Sequence, residues 1–453
     1  MDGERYMKFG KSIITKGIII ILLMIVLMAL YSQILENKKV KTEEEIVVEK
    51  TRILLEKVEK NNYALMDKYT IYGNHLNIGG CINTENIEKI NLNDLKLVII
   101  DLEKNEYEYD LEYEILDNKI IFNLSNNINE GIDLEKISIG NYYIFVKLNG
   151  TFNNNDITKY YSIQNNTDYS SNKYYTMTKE GSNKKIDINF SSLDEINYMK
   201  ISSENATLPI NVYDIVIDAG HGGTDPGAMY KNNIEAEYTL DYSYELKRTL
   251  ENLGYKVKLT RDKDEYVEPY GKNGRAIVPY ETQSKLFLSI HLNSTSTDNP
   301  EGGVEIYCSN NMNLDFAKSF ADNIVDIAHT KFSPNNESKI LEGVYVKTYS
   351  QEDVEDAIEY ANELGYKPYE TLSTQTPYFF MIRETGGIMT HAYIDGRNTK
   401  IGDNPYYNSN IAAESYLLEL GFINSESDLE NLQKNKEAYI NAIVKTIVDN
   451  YNK

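Results

Sequence analysis

The hydrophobic pattern of this 453-residue chain changes near residue 205, and that change limits the possible folds more than any other feature. Before it, apolar and acidic residues alternate, as in YEYDLEYEI from Tyr107 to Ile115, which is typical of strands with one buried face. After it, short apolar runs such as YDIVID alternate with helical stretches such as Glu235 to Leu253. We therefore predict an all-β, sandwich-like domain over 64–205 and, over 212–453, an α/β domain with a mainly parallel sheet covered by helices.

Further apolar segments support both predictions. In the first domain, strands are expected at 95–100, 119–124, 142–148 and 185–190. In the second domain, strands are expected at 213–218, 254–260, 286–290, 304–308 and 415–420, with helices at 314–329 and 438–451. The first domain has no cluster of histidine, cysteine or convergent acidic residues, so a spacer and a binding role both stay open for it.

The stretch GIIIILLMIVLMAL, from Gly17 to Leu30, has no polar side chain. Extended to Leu35, it would form about 28 Å of helix at about 1.5 Å per residue, which nearly spans a bilayer. A cleaved signal peptide is the alternative, but no A-x-A-like cleavage site follows. We expect residues 1–16 to be a cytoplasmic tail, 17–35 an uncleaved transmembrane anchor and 36–62 a charge-dense helical stalk. Lysine and arginine are balanced on the two sides, so the positive-inside rule does not fix the orientation.

The composition excludes several classes of function. The chain has 46 Lys+Arg against 69 Asp+Glu and a formal net charge of -23, so a phosphate backbone would repel it and nucleic-acid binding is not expected. Two distant cysteines, Cys81 and Cys308, provide neither a disulfide framework nor a cysteine zinc site. The five histidines are few enough that each is a separate candidate.

Four reactive side chains lie where a parallel sheet collects its ligands, outside the carboxyl ends of the strands. His221 follows the strand that ends in Asp218, Glu235 begins the next helix, His291 directly follows LFLSI, and Glu419 closes the late strand. Two imidazoles and one carboxylate are a common ligand set for a catalytic zinc, and a further carboxylate can take up a proton. Each residue also has a structural explanation, such as a hydrogen-bonded histidine or a glutamate at a helix N-terminus. Spacing alone therefore leaves the metal site open.

Five segments that contain these residues occur in a distinctive order. They are IVIDAGHGGTDPGA (215–228), IEAEYTL (234–240), LTRDKD (259–264), LFLSIHLNS (286–294) and LLELGFIN (417–424). Together they resemble the zinc-dependent N-acetylmuramoyl-L-alanine amidases of bacterial cell-wall metabolism. The resemblance implies that His221, Glu235 and His291 bind Zn²⁺ and that Glu419 is the catalytic acid and base. It also implies hydrolysis of the amide between the lactyl group of N-acetylmuramic acid and the L-alanine of the peptidoglycan stem peptide.

The chain looks longer than a minimal family member over 350–372 and 386–412. Because the second insertion leads into the strand of the predicted acid and base, we expect it to form a rim beside the metal. We count Asn293, His391 and Arg397 as candidate substrate-binding residues, with Arg397 as a partner for a peptide carboxylate. An ordinary salt bridge within the loop is the alternative for Arg397. A role for His391 as a fourth ligand is disfavoured, since it would close the site.

Peptidoglycan lies outside the cytoplasmic membrane, so we expect a single-pass membrane protein with both folded domains on the extracytoplasmic face. The alternative function is a membrane-tethered peptidoglycan-binding protein with an inactive amidase-like domain. The glycines from Gly220 to Gly227 do not form G-x-G-x-x-G, and HExxH and GxSxG motifs are absent. Dinucleotide binding and zincin or serine-hydrolase chemistry are therefore disfavoured. The sequence does not identify which protein partners the chain has.

Overall fold

The structure is a computed structural model, and it describes residues 22–34, 44–72, 74–83, 90–125, 130–165, 172–177, 183–207, 209–269, 273–298, 301–363, 373–387 and 411–451. Residues 22–34 form an N-terminal helix and residues 44–55 form helix α1. In this described part of the chain, no helix is long and apolar enough to cross a membrane. Residues 17–21 and 35 of the predicted anchor lie outside the described residues, as does the predicted tail at 1–16.

Helix α1, in the predicted stalk, packs against the β-rich region. The hydroxyl groups of Thr51 and Tyr143 are hydrogen-bonded at 2.6 Å. The apolar cluster at this contact consists of Leu54, Leu55, Val58, Val98, Ile100, Tyr143, Phe145 and Tyr198. Burial of each large apolar side chain contributes about 1.5–3 kcal/mol, so the cluster holds the carboxyl end of α1 on the sheet.

The β-rich region contains twelve of the described strands. They are β1 (Ala64–Tyr72), β2 (His75–Asn83), β3 (Ile90–Asp101), β4 (Glu106–Asp110), β5 (Glu112–Leu116), β6 (Lys119–Asn123), β7 (Ile132–Asp133), β8 (Gly140–Phe152), β9 (Asn155–Asn165), β10 (Asn172–Met177), β11 (Asn183–Leu193) and β12 (Ile196–Asn205). The main strand order is β10-β11-β12-β8-β9-β1-β2-β6-β5, and β3 pairs with β4 and β8. Residues of β1, β2 and β6 share one apolar core with residues of β3, β8 and β12, so the sheet folds over itself. The all-β prediction is confirmed.

The segment from Tyr107 to Ile115 differs from its prediction as one strand with a buried face. It contributes to two strands, because β4 pairs with β3 whereas β5 pairs with β6. Leu111, between them, is buried, but all residues of β5 are exposed. At Leu111 the chain passes from one part of the sheet to another. Strand β5 is then the last strand of the main order. Because β5 lies at this edge, the alternating pattern does not give it a buried face.

The second region contains the remaining strands and helices. They are β13 (Ile215–Ala219), β14 (Met229–Tyr230), β15 (Asn233–Ile234), α2 (Glu235–Asn252), β16 (Val257–Leu259), a 3₁₀ turn (Arg275–Ile277), α3 (Val278–Thr282), β17 (Leu286–Asn293), β18 (Glu305–Cys308), α4 (Leu314–Ala328), β19 (Lys339–Leu341), β20 (Val344–Tyr345), α5 (Gln351–Glu363), α6 (Phe380–Thr385), β21 (Ile411–Ala412), β22 (Glu414–Phe422), α7 (Glu426–Lys434) and α8 (Lys436–Asn450). The sheet order is β16-β13-β17-β22-β18-β20-β19.

This second sheet is mixed, although its functional part is parallel. β16, β13, β17 and β22 run parallel, as predicted, whereas β18 is antiparallel to β22 and β19 is antiparallel to β20. Helices α2, α4 and α8 bury residues such as Leu246, Phe320 and Ile443 against one face. The 3₁₀ turn, α3 and α6 cover the other face. Every residue of β13 and β22 is buried, as expected for strands covered on both sides.

The two regions are in contact at the amino ends of two strands of the second sheet. Strand β21, directly before β22, pairs in parallel with β1 of the first sheet. Lys285, directly before β17, forms an ion pair with Glu135 of the β-rich region. Of the two predicted insertions, residues 351–363 form α5, whereas 364–372 and 388–410 lie outside the described residues.

Candidate active site

Three side chains from separate segments meet beyond the carboxyl ends of the parallel strands. His221 lies two residues after β13, Glu235 is the first residue of α2, and His291 lies in β17. One ligand atom of each lies within 4.8 Å of the other two. Nε2 of His221 is 3.3 Å from Oε2 of Glu235, and Nδ1 of His291 is 3.0 Å from Oε1. The structure thus brings together the three residues that were predicted as metal ligands.

The geometry and chemistry of this cluster fit a single small cation. Ligand atoms about 2 Å from a tetrahedral ion lie about 3.3 Å from one another, and the separation between each histidine and Glu235 is close to this distance. Burial by itself would raise the pKa of Glu235, but hydrogen bonds with His221 and His291 outweigh it and the pKa is lowered. The carboxylate is therefore in the charged form that a metal requires.

Hydrogen bonds from neighbouring groups orient the ligands. Nδ1 of His221 lies 2.9 Å from Oδ2 of Asp225, whose Oδ1 accepts from the backbone N–H of Gly227 at 3.1 Å. A proton on Nδ1 shared with Asp225 leaves the lone pair of Nε2 free for a metal, the usual arrangement of a carboxylate behind a metal-binding histidine. The backbone N–H groups of Ala228 and Leu292 donate to Glu235 at 2.8 and 3.0 Å.

The backbone around His221 depends on glycine and on a left-handed turn. His221 itself has a φ of 60° and Gly223 a φ of 57°. A Cβ atom on Gly220 would lie 2.4 Å from Cε1 of His291, and one on Gly227 would lie 2.6 Å from Oε2 of Glu235. Side chains at these two glycines would displace the ligands, so the motif needs glycine for space as well as for conformation.

Glu419 lies on β22, paired in register with His291 on β17. Its side chain is buried, and its Oε2 has no hydrogen-bond partner among the described residues. Burial raises the pKa of Glu419 well above its ordinary value, and the charges of Glu235 and Glu305 add to the increase. A carboxyl group beside the ligand cluster, with a strongly raised pKa, is suited to proton transfer.

Glu305, which was not among the residues predicted from the sequence, faces Glu419 from the next strand. The two residues pair directly between β18 and β22. Oε2 of Glu305 accepts from Nδ2 of Asn293 at 2.7 Å and from the hydroxyl of Tyr307 at 2.6 Å. A glutamate within the apolar run VEIYC was a usable signal, because an unpaired buried carboxylate is costly. Asn293, predicted to bind substrate, thus uses its amide group on Glu305.

A second buried network lies on the strands behind the ligands. Asp218, at the end of β13, is fully buried and accepts from Thr260 and Ser289 at 2.7 Å each and from Arg275 at 3.0 Å. Burial by itself would raise the pKa of Asp218, but Arg275 and the hydroxyl donors lower it. This carboxylate is held charged by its partners and has a structural role.

The candidate substrate-binding residues His391 and Arg397 lie outside the described residues.

Part of the second region is similar to known amidases. Residues 215–352 match a family model described as N-acetylmuramoyl-L-alanine amidase (Amidase_3). A Staphylococcus aureus protein named "Probable cell wall amidase LytH" is 38% identical over 98 residues, which is 21% of this chain and 31% of that protein. The chain thus spans about a third of the length of the curated relatives that it matches.

Two solved structures are also similar. One is the N-acetylmuramoyl-L-alanine amidase AmiC2 of Nostoc punctiforme, with 19% identity, a TM-score of 0.34, and coverage of 54% of this chain and 98% of that chain. The other is an N-acetylmuramoyl-L-alanine amidase from Clostridium difficile 630, with 18% identity and a TM-score of 0.35, covering 53% of this chain and all of that chain.

Proposed function

We propose that this chain, whose residues 215–352 match the Amidase_3 family model, cleaves the amide bond that joins the lactyl group of N-acetylmuramic acid to L-alanine in peptidoglycan. The observation that carries the proposal is the meeting of His221, Glu235 and His291 next to the strand of Glu419. Two imidazoles and one carboxylate form a ligand set that suits Zn²⁺ and leaves a position open for chemistry. The name of the S. aureus relative points to the same substrate class.

The chain's own residues would divide the work as follows. His221, Glu235 and His291 hold Zn²⁺, and a bound zinc ion supplies Lewis-acid polarisation of the amide carbonyl and a lowered pKa for water. Glu419 takes a proton from the attacking water and delivers it to the leaving amine of L-alanine. Burial raises the pKa of Glu419, so this carboxyl holds a proton more readily than an ordinary glutamate, which supports the delivery of a proton to the amine.

The test is the variant Glu419→Gln in the full chain, solubilised in detergent and supplied with zinc. We expect zinc content to stay at the parent level while the release of stem peptide from purified peptidoglycan, followed by mass spectrometry, falls by about 10²–10⁴-fold. Glu414→Gln is the matched control, since Glu414 is a buried glutamate at the other end of the same strand.

The outcomes separate the two functions. Release of stem peptide by Glu419→Gln at the parent's rate would show that the role given to Glu419 is wrong. A parent chain that is fully loaded with zinc and binds peptidoglycan, but releases no stem peptide, would instead favour the peptidoglycan-binding alternative.

We also propose that residues 17–35 anchor the chain in the cell membrane as a single pass, with both folded regions on the extracytoplasmic face. The apolar run in the sequence supports this, and so do the exposed apolar side chains of the N-terminal helix, such as Leu27 and Met28. Added protease should digest the folded regions on intact protoplasts, and full protection would contradict the proposal.

A further inference from the structure

Arg261 belongs to the segment LTRDKD, to which the proposed chemistry gives no role. It follows the edge strand β16, and its residue is only 2% exposed. Its guanidinium donates to backbone carbonyl oxygens and to one hydroxyl oxygen. The acceptors are Ala219 O (3.0 Å, from Nε), Gly220 O (3.0 Å), Ala236 O (2.8 Å) and Thr239 Oγ1 (3.0 Å, all from Nη2), and Lys263 O (3.1 Å, from Nη1).

The acceptors of Arg261 adjoin two of the three residues in the ligand cluster. The carbonyl of Gly220 belongs to the peptide bond that leads into His221. The carbonyl of Ala236 belongs to the residue after Glu235, in the first turn of α2. A single planar group therefore joins the loop of one ligand to the helix of another. Thr239 supports the same connection, because its hydroxyl donates to Gly220 O at 2.6 Å.

The choice of arginine is explained by geometry more than by charge. Burial lowers the pKa of Arg261 although the charges of nearby carboxylates such as Asp218 raise it, and the acceptors named above are all uncharged oxygens. Burying a cation among neutral acceptors has a cost in hydration. The guanidinium has several N–H donors in a fixed planar arrangement, so it can bond to several segments at once. The single nitrogen of a lysine cannot bond to all of them. Gly222 makes room for it, since a Cβ atom there would lie 2.8 Å from Nε of Arg261.

We propose that Arg261 is a positioning residue of the metal site. Its guanidinium holds the backbone beside His221 and Glu235 so that these ligands are arranged before the ion binds, and this raises the affinity for zinc. The inference rests on the metal site of the proposed function. Arg261 acts only through the two ligand segments, so its loss should affect metal affinity more than the chemistry of the loaded site.

The experiment compares Arg261→Lys with the parent in the full chain. Zinc affinity is measured by competition with a chromophoric chelator, and the thermal midpoint of the zinc-free protein is recorded alongside. We expect Arg261→Lys to bind zinc about 10–100-fold more weakly, as is typical when support behind a metal ligand is lost. At saturating zinc, kcat should return to within about threefold of the parent. Arg248→Lys, an exposed arginine of α2 paired with Glu245, is the control and should bind zinc like the parent.

Each outcome has one interpretation. Zinc affinity within twofold of the parent in Arg261→Lys would overturn the inference, even if the thermal midpoint falls, because the role would then be structural only. If Arg261→Lys does not fold, Thr239→Val tests the same connection, with zinc binding expected to weaken and unchanged binding overturning it. A parent that binds no zinc would overturn the proposed metal site and this inference with it, whereas a failed inference alone leaves the proposed function intact.

Discussion

The described parts of the β-rich region and of the second region differ in how many charged side chains they bury. Among the described residues of 64–205, Lys184 is the buried charged side chain. In 209–451, the described buried charged side chains are Asp218, Glu235, Arg261, Arg275, Glu305, Arg383, Glu384, Glu414, Glu419 and Asp428. Because burial of a charge lowers stability unless partners compensate, the comparison indicates that the first region is built for stability and the second also for chemistry.

The strands show the same difference. From Asn183 to Ile188 of β11 the residues alternate between partly exposed and buried. Lys185 pairs with Glu204 on the more exposed face, and Lys184 is the one charged residue on the buried face. In β22 every residue is buried, including Glu414 and Glu419. A strand with one wet face can keep its charges in water, whereas a strand covered on both faces must enclose them. Burial raises the pKa values of Glu414 and Glu419, which have no cationic partner among the described residues, whereas Arg275 lowers the pKa of Asp218 and the two histidines lower that of Glu235.

The largest effect is expected from replacing glycine by alanine. In the second region this change should reduce activity, whereas in the β-rich region it should reduce only stability. In Gly220→Ala, the new Cβ would lie 2.4 Å from Cε1 of His291, so the ring must move. Zinc binding and the release of stem peptide should both fall by about 100-fold. In Gly80→Ala, the new Cβ would lie 2.1 Å from the carbonyl oxygen of Leu65 in the β-rich region. That variant should lose stability in urea unfolding and keep its activity per folded molecule.

Gly254→Ala serves as the control for both substitutions. No atom lies within 4 Å of a Cβ at this position, although its φ of 90° is also unfavourable for alanine. Its activity should stay within about threefold of the parent. Parent-like zinc binding in Gly220→Ala would contradict the tight contact between Gly220 and His291.

The next largest effect concerns pH and the buried carboxyl of Glu414. Burial raises its pKa from 4.5 to about 7, although the hydroxyls of Tyr416 and Tyr451 donate to it. The folded state therefore holds this proton more tightly than the unfolded state, so its stabilising contribution is present below pH 4.5 and is lost as pH rises to about 7. The free energy of unfolding of the parent, minus that of Glu414→Gln, should fall by about 2–3 kcal/mol between pH 5 and pH 8.

Urea unfolding of both proteins at four pH values between 5 and 8 measures this difference. Glu414→Gln is the control for the parent. The other titrating groups are present in both proteins, so their contributions cancel when the two free energies of unfolding are subtracted. Curves that run parallel over the whole range would mean that Glu414 titrates alike in the folded and unfolded chains.

The smallest effect is expected from two adjacent lysines of the β-rich region. Nζ of Lys184 is buried and donates to the carbonyl oxygens of Glu135, at 2.8 Å, and Ile137. Lys184→Met should lower the free energy of unfolding by about 1–3 kcal/mol, because both carbonyls lose a donor. Lys185→Met removes only surface ion pairs with Asp187 and Glu204, so no measurable change is expected. Equal losses in the two variants would contradict the difference in burial.

Sequence patterns predicted local structure and fell short where strands from distant segments pair. The helix at Glu235–Asn252 and the buried strands β13 and β17 follow from periodicity and short apolar runs. The four candidate residues of the site follow from a second rule, that ligands gather at the carboxyl ends of parallel strands. That rule needs only the order of strands and helices along the chain to select His221, Glu235, His291 and Glu419.

Glu305 and Asp225 were missed for different reasons. Glu305 faces Glu419 only because β18 pairs antiparallel with β22, a pairing that no local pattern in the sequence indicates. Asp225 is four residues from His221, but a loop can place its carboxylate in many ways, and the bond to Nδ1 depends on the left-handed turn at His221. The change of partner strand at Leu111 was also missed. The alternating pattern continues without a break through the residue at which the partner strand changes.

The pairing of β21 with β1 has a practical consequence for dividing the molecule. Residues Ile411 and Ala412 are neighbours of Ile71 and Tyr72 in one sheet, although more than 300 positions separate them along the polypeptide. Cutting near residue 207 would strip this short strand of its partner and expose its backbone polar groups directly ahead of β22. A fragment intended for crystallisation or assay should therefore start upstream of residue 64, so that the route into the Glu419 strand keeps its support.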